Sequence, residues 1–253
     1  MAGMEAVEVV VAHEERTTLR VGDMFLKIDA DQSRTDREAA GMALAPIPTP
    51  TVLWRKPHVL AIAAVPGIAL GRLGEPSPAS PAAWAAAGAA IRRLHQAPLP
   101  PWISPGRDEL AAELDIECEW LITNDVLPAD LVVPNRRIAG AALRPWTPVF
   151  THGDLQITHI FVDGDQVTGV IDWSEASQGD ALWDLATLTL GHEECLPDLL
   201  AGYGDDVDVD VIRAWWSLRS LGAARWLIEH GFDPGSPGAE FEVLRSQAEQ
   251  ATS

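Results

Sequence analysis

Short apolar runs separated by polar turns open the chain. Val7–Ala12 reads as a strand, 13–16 as a turn, and 17–28 as one or two further strands with Gly22-Asp23 as their tight turn. An antiparallel meander results. Lys27 lies within the apolar strand Met24-Phe25-Leu26-Lys27-Ile28, alternating with side chains expected to be buried. A helix follows over about 33–44, with Ser33 as its cap and Arg37-Glu38 in its early turns. Pro46, Pro48 and Pro50 end it, and 51–54 resumes a strand. The continuous apolar run 59–65, closed by Pro66-Gly67, has the pattern of a buried strand.

Helical spacing then takes over. The Gly-, Pro- and Ser-rich stretch 70–81 reads as a linker or surface loop. Pro81–His95 is a helix with Pro early, alanines in the middle, and Trp84, Ile91 and Leu94 available for packing. In 107–121 a second helix sets Leu110, Leu114, Cys118 and Leu121 on one face and Glu109, Glu113 and Glu117 on another. Like charges so placed need an offset, from solvent or from a polycationic ligand, with solvent the simpler expectation.

Period-two patterning returns in 149–185. An apolar strand ends in His152-Gly153-Asp154, a hairpin turns at Asp163-Gly164, and a second apolar strand delivers Asp172. Both carboxylates are thus expected at the mouths of neighbouring strands. Beyond them come a helix at 182–190, an exposed acidic loop at 205–210, and a long helix at 211–231. That long helix carries Trp215, Trp216, Leu218, Leu221 and Trp226, and an amphipathic surface helix at 239–250 closes the chain.

Composition narrows the class. A length of 253 residues suffices for one large or two small lobes, and 47% hydrophobic with 22% charged residues is globular. The start, MAGMEAVEVV, is acidic and lacks a secretory signal pattern, and the alanine-rich stretch 82–91 is too short to cross a bilayer. Cys118 and Cys195 make neither a disulfide framework nor a zinc site. A cytoplasmic monomer or weak dimer with no membrane partner is expected.

Charge is uneven. Residues 1–66 hold 9 acidic and 7 basic side chains, whereas 67–253 hold 28 and 11, most of the net −19. Such a surface repels nucleic acid and draws cationic small molecules, although an acidic face also serves solubility alone.

Two carboxylates at strand ends suit phosphoryl transfer: one orients an attacking hydroxyl, the other holds a divalent cation. Either Asp154 or Asp172 alone fits a turn or cap equally well. Lysine occurs only at Lys27 and Lys56 against sixteen arginines, and a compact ammonium inside a strand can meet phosphates as a point charge. The competing explanation is an edge-strand lysine in water. No GxGxxG is present.

The fragments HGDLQITHIFVD, GVIDW and GDALWDLA resemble the catalytic, metal-binding and stabilising motifs of the aminoglycoside phosphotransferase and choline kinase family, relatives of the protein kinases. IRRLHQAPL is similar to a helix end in that family, with His95 structural. The resemblance implies an α+β, bilobal protein-kinase-like fold. Its small antiparallel-sheet N-lobe would be a nucleotide-binding lobe at 1–66, and its mostly helical C-lobe a catalytic and substrate-binding lobe at 67–253.

It further implies transfer of the γ-phosphate of ATP or GTP to a hydroxyl of a small molecule, with Mg²⁺ or Mn²⁺. Asp154 would be the catalytic aspartate, Asp172 the principal metal ligand and Asp184 a brace. Glu38 would hold Lys27 against the phosphates. The backbone of Ala63 and Val65, in the hinge-like VLAIAAVPG, would meet the base. One position departs from the family: five residues after Asp154, where most members carry a metal-binding Asn, stands His159. Macrolide phosphotransferases resemble the chain there. Imidazole suits Mn²⁺ better than Mg²⁺, and a loop histidine that only packs is the alternative. An antibiotic acceptor of the aminoglycoside or macrolide kind is expected. A metabolic kinase for choline, homoserine or a sugar, and a non-catalytic nucleotide-binding module, remain alternatives.

Overall fold

A computed structural model describes residues 6–12, 15–204 and 207–251; the expected turn residues His13-Glu14 and the Asp205-Asp206 start of the acidic loop lie outside them. Five antiparallel strands form the first sheet: β1 (Val7–Ala12), β2 (Arg16–Val21), β3 (Met24–Asp29), β4 (Val52–Lys56) and β5 (Val59–Ala63). Their order is β1-β2-β3-β5-β4. The two-residue turn at Gly22-Asp23 fixes the β2/β3 register, so that Arg16 faces Asp29 and Thr18 faces Lys27. Between β3 and β4 lies β5, which explains its apolar run: Leu60, Ala61 and Ile62 are all buried.

Burial in β3 is inverted relative to the apolar-in expectation. Lys27 and Asp29 point inward and are buried, Leu26 is only half-buried, and Ile28 is exposed. The inner surface at this end of the sheet is an ion-paired cleft, so the polar side chains of the strand take the inward positions. Behind the sheet runs α1 (Gln32–Leu44). Its cap is Asp31, whose carboxylate accepts the Ser33 N–H at 2.8 Å, and not Ser33 as the sequence suggests.

Past Pro66 the chain becomes helical: α2 (Pro81–His95), α3 (Arg107–Thr123), α4 (Ala129–Ala139), α5 (Ala181–Thr189), α6 (Leu196–Tyr203), α7 (Val209–Glu229) and α8 (Glu240–Gln250). The sequence leaves α4 unannounced because Pro134 sits inside it. The stretch 70–81 is more than a surface loop. Leu70 is fully buried, and Ser77 Oγ donates to its carbonyl at 2.7 Å while accepting from Trp84 Nε1. On the glutamate face of α3, Arg225 of α7 approaches Glu117 at 3.9 Å and the Gly106 N–H donates to Glu109, so the offset includes protein groups as well as solvent. The last helix is docked rather than merely surface-lying, since Val243 and Leu244 are buried and the Leu244 carbonyl accepts from Asn135 Nδ2.

Two small sheets stand between the five-stranded sheet and the helices. β7 (Val149–Thr151) pairs with β10 (Ser177–Gly179), while β8 (Ile160–Asp163) lies between β6 (Ile68–Ala69) and β9 (Gln166–Val170). The strands leading to Asp154 and to Asp172 therefore belong to different sheets and are not neighbours. What joins them is the core beneath, where Phe150, Leu155, Ile157, Trp173 and Leu185 are fully buried. Each such side chain contributes about 1.5–3 kcal/mol on leaving water.

Candidate active site

The site rests on a loop held from below. After β7 the chain turns at Gly153, where φ is +89° and an added Cβ would lie 2.1 Å from the Glu175 carbonyl, so only glycine fits. Asp184, fully buried in α5, accepts the His152 N–H at 2.7 Å on Oδ2 and the Gly153 N–H at 3.0 Å on Oδ1. His95 Nε2 reaches the same Oδ2 at 3.1 Å, and its Nδ1 meets the Tyr203 hydroxyl at 2.9 Å. An α2 histidine thus supports the α5 aspartate that supports the loop, which is a structural place for His95.

His152 joins the two carboxylate segments. Its Nε2 lies 2.9 Å from the Ile171 carbonyl, which can only accept, so Nε2 carries the proton. Nδ1 is then free to accept from the Asp154 N–H at 3.4 Å. Burial, opposed by the nearby Asp184 charge, holds its pKa below the ordinary 6.5. A neutral imidazole therefore sits between Asp154 and the residue before Asp172.

Asp154 is partly open to solvent, and both its oxygens accept from the Gln156 side-chain amide, at 3.0 and 3.1 Å. Arg219 of α7 approaches it at 3.8 Å and is itself tied to Glu240 of α8 at 3.0 Å. His159 spans the gap. Its Nδ1 lies 2.7 Å from the Asp154 carbonyl and must donate, which leaves Nε2 facing Asp172 Oδ2 at 4.0 Å. Two ligands of one Mg²⁺-sized ion lie about 3–4 Å apart at bond lengths near 2.1 Å. The oxygen and nitrogen donors here fit such a cation with the rest of its shell drawn from phosphate and water.

Asp172 adopts a left-handed backbone, φ 66° and ψ 64°, tolerated by aspartate. Its Oδ1 receives Lys27 Nζ and Arg16 Nη1, each at 3.0 Å. Burial alone would raise its pKa, but Lys27, His159 and Arg16 prevail and hold the carboxyl well below 3.8. Lys27, in turn, is ion-paired with Glu38 of α1 as well. Burial would lower its pKa, and Asp172 and Glu38 reverse the sign, so the ammonium stays charged. The edge-strand alternative for Lys27 is thus excluded by its burial.

Along the hinge-like segment the Ala63 N–H donates to the Thr51 carbonyl at 2.9 Å, leaving its own carbonyl as its means of meeting a base. Val65 packs on Gly169, where an added Cβ would lie 2.5 Å from Val65 Cγ1. Both residues are half-buried.

Four participants escape a reading of motifs: Arg16, Asp29, Gln156 and Arg219. Arg16 was within reach, because counting back from the Gly22-Asp23 turn pairs it with Asp29 on the face that holds Lys27. Arg219 lies 65 positions from Asp154 and has no local signal. A cavity of about 210 Å³ opens beside Gly153, walled by Trp146, Trp183, Trp215 and Leu110. Trp183 Nε1 donates to the Gly153 carbonyl at 2.6 Å and Trp215 Nε1 to Asp180 at 2.8 Å.

A sheet-bearing first lobe with a buried Lys-Glu pair, and a helical lobe with a braced loop whose Asp154 carbonyl is linked through His159 to Asp172, have the make-up of a kinase-like phosphotransferase. The phosphotransferase enzyme family model matches residues 14–221, and the chain belongs to that family. Solved structures agree on the fold. An aminoglycoside 2'-phosphotransferase-IIIa in its GDP complex is 15% identical, with 99% of this chain and 94% of that one covered and a TM-score of 0.72. A macrolide 2'-phosphotransferase from Brachybacterium faecium is 17% identical over 97% and 90%, with a TM-score of 0.65. A choline/ethanolamine kinase family protein from Mesorhizobium loti is 22% identical over 99% and 88%, with a TM-score of 0.63. Among the described residues, no helix is long and apolar enough to cross a membrane.

Proposed function

We propose that this phosphotransferase moves the γ-phosphate of ATP or GTP to a hydroxyl of a small molecule. In this reading residues 1–66 form the nucleotide-binding lobe and 67–253 the catalytic and acceptor-binding lobe. The observation that carries it is the convergence of Lys27, Asp172 and the Asp154 loop on one cleft. Lys27 Nζ lies 3.0 Å from Asp172 Oδ1, and the His159 ring bridges Asp172 and the Asp154 carbonyl.

Each residue then has a role. Lys27, charged and held by Glu38, meets the phosphates, while the Ala63 carbonyl and the Val65 N–H meet the base. Asp172 Oδ2 and His159 Nε2 would hold Mg²⁺ or Mn²⁺, which when bound supplies charge neutralisation on the phosphate oxygens. Asp154 accepts a hydrogen bond from the acceptor hydroxyl, orients it in line with the phosphorus and takes its proton late. Gln156 and Arg219 fix the orientation of the Asp154 carboxylate, and Asp184 fixes the backbone beneath it. Positioning of this kind is the larger part of catalysis when the transition state is loose.

An antibiotic acceptor of the aminoglycoside or macrolide type is the reading we favour. The net charge of −17 over residues 67–253 attracts polycations, and two of the similar structures are named for those antibiotics. A second reading draws on the tryptophan cavity. With the Trp183 and Trp215 N–H groups bonded to Gly153 and Asp180, a cavity walled by three tryptophans with Glu175 and Asp180 among them suits a small cationic alcohol of the choline kind.

A panel of aminoglycosides, macrolides, choline, homoserine and sugars, assayed for nucleoside diphosphate release with ATP and GTP, tests both. Turnover with an antibiotic supports the first reading and turnover with choline alone the second. Nucleotide binding without turnover on any acceptor leaves a non-catalytic nucleotide-binding module.

A further inference from the structure

From residue 4 to residue 21 the chain has no glycine, so its first hairpin cannot supply a glycine-rich cradle of backbone N–H groups for phosphates. Beside Lys27 there is instead a second cation that no motif announces. Arg16 projects from β2 into the cleft with its side chain only 9% exposed. Its Nε donates to Asp29 Oδ2 at 3.0 Å, and Asp29 is itself fixed by the Asp31 N–H on its other oxygen at 2.9 Å. The guanidinium is therefore anchored along one edge, and its outer Nη1/Nη2 fork is turned toward Asp172 and Glu38, beside Lys27.

That fork is incompletely used. Nη1 shares a single oxygen, Asp172 Oδ1, with Lys27. Nη2 is buried without a hydrogen-bond partner, 3.9 Å from Glu38 Oε2, which also lacks one. Two cations thus share one carboxylate oxygen, while one guanidinium nitrogen and one Glu38 oxygen stay without a hydrogen bond, so the Arg16 fork is not satisfied by the acceptors around it. A planar fork of this kind matches phosphate oxygens bidentately, which an ammonium cannot do.

We propose that Arg16 is a phosphate-binding residue: held by Asp29, its Nη1/Nη2 fork takes a phosphate of the bound nucleotide next to Lys27. The inference rests on the nucleotide-dependent reading above and adds a second phosphate ligand to it. On binding, Arg16 exchanges Asp172 Oδ1 for phosphate oxygens, and Asp172 is released for its own role. Asp29 acts through Arg16 and is a positioning residue.

The test is binding of ADP, GDP and adenosine to the whole protein by calorimetry, in EDTA and again with Mg²⁺. Arg16→Gln should weaken the diphosphate that the wild type prefers by about ten- to a hundredfold, the scale of a hydrogen bond to a charged group. The loss should appear in EDTA as well as in Mg²⁺ and spare adenosine. Because Arg16→Gln leaves the buried Asp29 with Arg34, 3.4 Å from its Oδ2, as its remaining charged partner, Arg16→Gln/Asp29→Asn serves as the charge-balanced variant and should show the same loss with a thermal midpoint near wild type. Unchanged diphosphate affinity in the double variant, a loss seen only with Mg²⁺, or an equal loss for adenosine would overturn the assignment. Failure of the wild type to bind either diphosphate would instead sink the nucleotide-dependent reading itself.

Discussion

Asp184 accepts the backbone N–H of His152 at 2.7 Å on Oδ2, and its Oδ1 takes the next N–H, that of Gly153, at 3.0 Å. A buried carboxylate with two acceptor oxygens is the smallest group that can satisfy two successive amides in this geometry. Asparagine keeps the shape but offers one acceptor and turns an NH₂ toward the other N–H. Asp184→Asn should therefore leave a buried donor unsatisfied and cost about 2–4 kcal/mol of stability. Urea denaturation measures this, and an unchanged midpoint would show that the loop is held by something else.

Asp154 sits on that loop as the proposed orienting base. Its substitution removes a positioning group without touching Lys27, Glu38 or Asp172. Asp154→Ala should lower kcat by orders of magnitude while nucleotide affinity stays within a fewfold of wild type. Stopped assays with the acceptor found by the panel, beside calorimetric nucleotide binding, separate the two quantities. Retained turnover would remove Asp154 from the chemistry.

Where local patterning and tertiary placement agree, the sequence was legible. Period-two runs with glycine turns pointed to the first sheet, and the 149–185 stretch pointed to Asp154 and Asp172, whereas the brace Asp184 and the Lys27–Glu38 pairing came from the family resemblance. Tertiary choices were not legible. Nothing local says that β7 pairs with β10 while β9 pairs with β8, so the two carboxylate strands looked adjacent when they are not. Nor does an apolar strand reveal that its single lysine takes the inward position, as Lys27 does while Ile28 faces out. Arg219 reaches Asp154 from α7 and is itself held by Glu240 of α8, contacts set by how the helices pack and not by any motif.

His152 makes a pH prediction. Fully buried and with both ring nitrogens engaged, it has a pKa lowered below 6.5 in the folded protein, and unfolding restores the ordinary value. Below 6.5 the unfolded chain then binds a proton that the folded chain refuses. Stability present at pH 7 is lost as pH falls through the window between the ordinary and the lowered value. Asp172, held well below 3.8, adds its own loss as pH falls below that ordinary value. His152→Gln should lower stability at pH 7 yet flatten the decline as pH falls below 6.5. Urea midpoints of both proteins across that range decide it: parallel pH profiles would mean that His152 does not titrate on unfolding.

His159 offers the sharpest test of the cation site, because its two nitrogens have different duties. Nδ1 donates to the Asp154 carbonyl and so fixes the ring, while Nε2 is turned toward Asp172 Oδ2 at 4.0 Å. If Nε2 shares a divalent ion with Asp172, an oxygen donor in its place should suit Mg²⁺ better, and imidazole should favour Mn²⁺. Asparagine supplies that oxygen, and the family commonly has it there. His159→Asn should accordingly keep turnover and move the ratio of Mg²⁺- to Mn²⁺-supported activity upward, by about tenfold for a change near 1.4 kcal/mol in relative binding. Titrating each metal at saturating nucleotide reads the shift. A variant that keeps the wild-type metal ratio would assign Nε2 to packing, and one that loses metal-dependent turnover altogether would give His159 a duty that asparagine cannot fill.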